Sequence, residues 1–180
     1  DTPSPKKNTS TENKVDESKP SSNKNNSSDK NSSSGKKRVA LTFDDGPHKT
    51  NSHALLDILE ENHSVATFFE VGRNISQAPD ALARMLEMGC EVGSHSKAHG
   101  DLSLLNQSGI LADLDAADTA FINAMGQAPT LVRPPYGATN KAVREGSGRS
   151  IIMWTVDTLD WKLRNAQKVT EYIQNYGNLD

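Results

Sequence analysis

Large hydrophobic side chains are nearly absent from the first 35 residues, where Val15 stands alone among Ser, Asn, Lys, Thr and Pro, and they return with a regular rhythm from residue 36 onward. A segment with so little to bury cannot offset the entropy of ordering it. Residues 1–35 are therefore expected to be a disordered linker, and residues 36–180 one folded domain. Within that domain Val39-Ala40-Leu41-Thr42-Phe43 predicts a buried strand, and Leu55, Leu56 and Leu59 predict a helix over residues 52–61. Residues 65–71 read as the next strand. Pro79 opens a helix carrying Leu82, Met85 and Leu86, which Gly89 closes, and Glu91-Val92-Gly93 returns to strand. Ile110, Leu111, Leu114, Ala117, Phe121 and Ile122 recur at helical spacing over about residues 108–125, before Gly126. Leu131-Val132 and residues 151–156 supply further strands. Strands alternating with helices predict an α/β fold whose parallel strands are covered by helices, as an open sheet or a barrel.

Composition narrows the class. With 180 residues and 34% hydrophobic content there is room for one core and no second enzyme domain. A net charge of −3 argues against a nucleic-acid partner. The lysines of the leader (Lys6, Lys7, Lys14, Lys19, Lys24, Lys30) are nearly balanced by Asp1, Glu12, Asp16, Glu17 and Asp29, so a tether is expected there rather than a basic arm. Cys90 is the single cysteine, which excludes an intrachain disulfide and a Cys-rich metal cluster. No apolar run approaches the roughly 20 residues of a membrane span. Beginning at Asp1, without an initiator Met, the chain is expected to be a processed or excised product.

The polar residues fall at strand ends, where α/β folds place their chemistry. Asp44-Asp45-Gly46-Pro47 follows Phe43 directly, and reads either as paired functional carboxylates or as a plain acidic turn. His95-Ser96-Lys97-Ala98-His99 follows another strand, and imidazoles four apart share a face if that segment turns helically. With Asp45 they complete a three-ligand set that leaves a position open. Arg133-Pro134-Pro135-Tyr136-Gly137 is a rigid turn that presents a guanidinium and a backbone N–H. Asp157 and Asp160-Trp161 follow the final strand, with Trp161 readable as a sugar-stacking surface or as core.

In this order, Thr42-Phe43-Asp44-Asp45-Gly46-Pro47, His95-Ser96-Lys97-Ala98-His99, Arg133-Pro134-Pro135-Tyr136-Gly137 and Asp157-Thr158-Leu159-Asp160-Trp161 resemble four of the five signature motifs of the polysaccharide deacetylase family, the NodB-homology domain or carbohydrate esterase family 4. The resemblance implies a distorted (β/α) barrel. It also implies a divalent metal, zinc or another transition metal, on Asp45, His95 and His99, with Asp44 as general base. Arg133 would orient Asp44, the backbone N–H of Tyr136 would face the oxyanion, and Pro135, Tyr136 and Trp161 would meet substrate. The implied activity is hydrolysis of N- or O-acetyl groups of peptidoglycan, chitin-type polymers or xylan, in an extracellular or cell-envelope setting, with the linker as a route to a membrane or wall anchor.

The fifth motif, Leu-x-x-His, is absent: no histidine occurs after His99. That histidine is the family's general acid, and Asp160 would tune it. The domain is accordingly expected to be incomplete at its C-terminal end and weak or inactive alone, since a general acid contributes about 10²–10⁴-fold in rate. The competing expectation is a non-catalytic chain that binds metal and glycan; a phosphoesterase using the same strand ends is a third. His48, His53 and His63 are read as solvated, and Cys90 as a small buried residue.

Overall fold

The computed structural model describes residues 38–176, so the leader read as a linker lies outside it. Five strands, β1 (Thr42–Asp44), β2 (Thr67–Glu70), β3 (Glu91–Ser94), β4 (Leu131–Val132) and β5 (Ser150–Ile151), form one sheet in the order β1-β2-β3-β4-β5. Every pairing is parallel. Parallel neighbours require crossovers, and here α1 (Asn51–Glu61), α2 (Pro79–Glu87), α3 (Gln107–Met125) and α4 (Lys141–Gly146) supply them. A consecutive parallel order is how the wall of a (β/α) barrel winds, and it brings every strand's C-terminal end to the same side. Two short helices, α5 (Asp160–Leu163) and α6 (Ala166–Gln174), follow β5.

The helix boundaries follow local chemistry. Asn106 accepts a hydrogen bond from Gly109 N–H (2.9 Å) and so caps the start of α3, and Gly126 ends that helix at φ +80°, where a side chain would be strained. His48, read as solvated, accepts from Thr50 N–H and Asn51 N–H (both 3.3 Å) and caps the entry to α1. His53 pairs with Asp80 on the outer surface (3.0 Å).

Alternation along the strands sorts the side chains onto two faces. Phe43, Phe68 and Val92 point into a core shared with Leu56 and Leu59 of α1, Leu82 and Met85 of α2, and Phe121 of α3. Cys90 is buried in the same cluster, as expected. A smaller cluster joins Ile110, Leu114, Val132 and Val143. Thr42, Asp44 and Phe69 alternate to the opposite face, where the chemistry lies.

Two strands are shorter than their hydrophobic runs. β1 starts at Thr42 and not at Val39, because its ladder with β2 begins at the Thr42–Thr67 pair, and Val39 and Leu41 remain exposed. β5 stops at Ile151 where the run through Val156 predicts a longer strand. Beyond that point the carbonyls of Ile152 and Met153 accept hydrogen bonds from the Arg133 side chain (3.2 and 3.4 Å), and Met153 and Trp154 are partly exposed.

Phe121 is fully buried where α3 crosses the large core. Phe121→Ala should lower unfolding free energy by about 3–5 kcal/mol in urea titration; a loss under about 1 kcal/mol would show that α3 does not seal this core.

Candidate metal centre and active site

Three turns at the C-terminal ends of the strands build the site. Asp45, the first residue past β1, adopts φ +74°, a left-handed conformation that Asp tolerates better than most residues. β3 ends at Ser94 and His95 follows at once, its N–H donating to Glu70 O at 2.8 Å. The helical turn expected between His95 and His99 does not form. Ser96 (φ +68°) and His99 (φ +60°) are both left-handed, and this irregular loop brings the two rings to 5.0 Å between centroids. The loop is pinned from outside: Lys97 N–H donates to Asp113 (2.8 Å), while Gly72 and Arg73 N–H donate to the carbonyls of Ser96 and Lys97 (3.0 and 2.9 Å).

Asp45, His95 and His99 converge as expected. Their ligand atoms lie within 4.8 Å of one another, with Asp45 Oδ1 3.4 Å from His95 Nε2 and 3.0 Å from His99 Nε2. The outer ring nitrogens are committed elsewhere. His95 Nδ1 is 2.6 Å from the carbonyl oxygen of Arg133, which can only accept, so Nδ1 carries a proton and Nε2 is the ring nitrogen that faces Asp45. His99 Nδ1 lies 3.2 Å from the Tyr136 hydroxyl, which itself donates to His99 O at 3.5 Å. Two imidazole nitrogens and one carboxylate, oriented through outer partners, fit a divalent transition metal with further positions open. The carboxyl of Asp45 is held below the usual carboxylate range, chiefly by the His95 hydrogen bond and then by the charges of His99 and His95, against partial burial.

Beside this group Asp44 accepts from Arg133 Nη1 at 2.7 Å. Arg133 is only 2% exposed. The same Nη1 donates to Thr42 Oγ1 (2.8 Å), and the guanidinium lies 4.1 Å above the Phe69 ring. Tyr136 takes φ +61° inside the Pro135–Gly137 turn, and its ring is exposed. Pro135 is buried and shapes that turn. The Asp160 carboxylate accepts from Thr158 Oγ1 (2.9 Å) at the start of α5. Trp161 is 65% exposed, which settles it as surface and not core, with Nε1–H donating to Asp157 at 3.4 Å.

Sequence reasoning missed Glu70. It closes an aromatic strand, Thr67-Phe68-Phe69-Glu70, and looks like a polar strand end, yet it is 1% exposed and its Oε2 has no hydrogen-bond partner. Burial first, then the negative charges of Asp44 and Asp45, push its carboxyl up to about 8. An acid inside an otherwise apolar strand was the available signal.

The chain is similar to known proteins. The polysaccharide deacetylase family model matches residues 31–149. Over 137 residues, 76% of the chain, the sequence is 44% identical to a peptidoglycan-N-acetylglucosamine deacetylase, PgdA, of Listeria monocytogenes, and spans 29% of that protein's length. The structure of the peptidoglycan deacetylase PdaC from Bacillus subtilis superposes with a TM-score of 0.75 at 37% identity, covering 79% of this chain and 70% of that one. A family 4 carbohydrate esterase from Streptomyces lividans, in complex with acetate, gives 0.70 at 32% identity, covering 78% and 74%.

The state of Glu70 has a measurable consequence. Folded, it keeps a proton that the unfolded chain releases above its ordinary pKa of 4.5. Its contribution to stability is therefore complete below pH 4.5 and is lost as pH rises towards 8, with a slope of at most about 1.4 kcal/mol per pH unit. In urea unfolding of the metal-stripped chain, Glu70→Gln should flatten the fall in stability across this window. An unchanged profile would show that Glu70 is not the titrating group.

Proposed function

Because the chain belongs to the polysaccharide deacetylase family, we propose that it is a metal-dependent hydrolase removing N-acetyl groups from the glycan strands of peptidoglycan. The observation that carries this reading is the convergence of Asp45, His95 and His99 beside an Asp44 clamped by Arg133. Peptidoglycan is favoured over chitin-type polymers and xylan because a relative at 44% identity is named for it, against 40% for one named as a chitin deacetylase. Such a substrate implies work outside the cell or in its envelope, with the leader as a tether.

Asp45, His95 and His99 would hold the metal, for which we propose zinc on the strength of a nitrogen-rich donor set. Bound there, it supplies Lewis acidity towards an acyl oxygen and makes water a competent nucleophile at neutral pH. The chain's own groups do the rest. Asp44 takes up the proton of the attacking water, and Arg133, 2.7 Å away, keeps that carboxylate aimed. The backbone N–H of Tyr136, in the turn that follows Arg133, donates to the oxygen that gains charge as water adds to the acetyl carbonyl. The exposed rings of Tyr136 and Trp161 offer apolar faces of the kind that stack on pyranose rings. Protonation of the leaving nitrogen is assigned to no described residue.

The test is acetate release from N-acetylated glycan oligomers and from peptidoglycan, comparing metal-loaded with metal-stripped chain. Asp44→Asn should lower the rate about 10²–10⁴-fold while metal affinity stays unchanged, because it removes a base and no ligand. Asp45→Asn and His95→Ala should weaken the metal itself. Phosphate release from phosphoesters, or glycan retention without metal-dependent acetate release, would contradict the proposal, the latter favouring a glycan-binding role.

A further inference from the structure

Glu70 takes no part in the proposed chemistry, yet it lies directly behind the turn that presents Asp45. By strand alternation it shares the helix-facing side of the sheet with Phe68, opposite the face that carries Asp44 and Phe69. Its register partner on β3 is Ser94, whose Oγ is also buried without a partner. The carboxyl occupies the space that a side chain at Gly46 would need. A Cβ on Gly46 would lie 2.5 Å from Glu70 Oε2, 3.0 Å from Oε1 and 3.1 Å from Cδ.

Backbone and side-chain hydrogen bonds hold the carbonyl side of this turn. Val71 N–H donates to Gly46 O at 2.8 Å, and Asn74 Nδ2 donates to the carbonyls of Asp45 (3.0 Å) and Gly46 (3.3 Å). None of these touches the α-carbon of Gly46. Asp45 meanwhile holds a positive φ, a conformation that its surroundings must help to maintain. Its side chain is also the most solvent-exposed of the three putting a ligand atom into the site. A turn with empty space behind it could relax and carry the carboxylate away from the two imidazoles.

We infer that Glu70 is a positioning residue for Asp45: its side chain is the backing against which the Asp45–Gly46 turn is set, and Gly46 is glycine because that backing occupies its Cβ space. The inference rests on the metal site proposed above and adds a residue that contacts neither the metal nor the substrate. It makes Gly46 and Glu70 a matched pair, so changes at the two positions must be coupled in metal affinity.

The experiment measures Zn²⁺ affinity of the metal-stripped 180-residue chain by competition with a chromophoric chelator, under conditions where urea unfolding shows each variant fully folded. Glu70→Ala should weaken binding about 10–100-fold, the range for loss of a group that orients a metal ligand. Gly46→Ala should do the same by driving its methyl into the carboxyl. The double variant Gly46→Ala/Glu70→Ala should bind more tightly than Gly46→Ala alone, because the methyl then fills the vacated space, and Glu70→Gln should recover most of what Glu70→Ala loses. If Glu70→Ala does not fold, Glu70→Ser with and without Gly46→Ala carries the same comparison. Wild-type affinity in Glu70→Ala, or strictly additive losses in the double variant, would overturn the inference. Absence of Zn²⁺ binding by the wild-type chain would instead overturn the metal site itself.

Discussion

The site depends on one buried cation. Arg133 follows β4 and reaches across the end of the sheet, donating to Thr42 and Asp44 at β1 and to the carbonyls of Ile152 and Met153 beyond β5. Burying a guanidinium is costly unless its donors are satisfied. Its bonds therefore constrain the first and last strands at once. The Phe69 ring beneath the guanidinium adds a favourable face for the charge. The Arg133 backbone serves the site too: its N–H donates to Ser94 O (2.9 Å), and its carbonyl fixes the ring of His95. One residue thus sets both the carboxylate proposed as base and one of the proposed metal ligands.

Three acids crowd the end of β1 and β2, and their surroundings separate their roles. Asp44 faces a guanidinium, Asp45 faces two imidazoles, and Glu70 faces neither. Opposite charge favours the ionised form of a carboxyl, whereas burial without a partner favours the neutral one. Keeping Glu70 neutral spares the site a third negative charge beside two carboxylates that must remain ionised to take a proton and hold a metal.

Much of this was legible in the sequence, because strand and helix periodicity locates the elements and strand ends locate the chemistry. Asp44, Asp45, His95, His99 and Arg133 were all identified there, and the structure brings them together. For the histidine pair the spacing suggests a helical turn, whereas left-handed Ser96 and His99 fold the loop, and such φ values leave little trace in local composition. The ends of β1 and β5 were misplaced because hydrophobicity does not reveal where a ladder runs out of partners. Glu70 was missed because a single acid closing a strand looks solvated until the tertiary fold covers it. Asp160 enters through family resemblance alone, and its hydrogen bond to Thr158 sits at the first residue of α5.

On the proposed reading, His95 and His99 offer Nε2 to a metal while Nδ1 stays protonated and bound outward. Nitrogen-15 NMR of histidine-labelled chain, titrated with Zn²⁺, reads this out. Two of the five imidazoles should acquire metal-bound Nε2 signals while retaining Nδ1–H, and those Nε2 signals should be lost in Asp45→Asn at the same metal concentration. Binding through Nδ1, or a titration that leaves all five imidazoles unchanged, would contradict it.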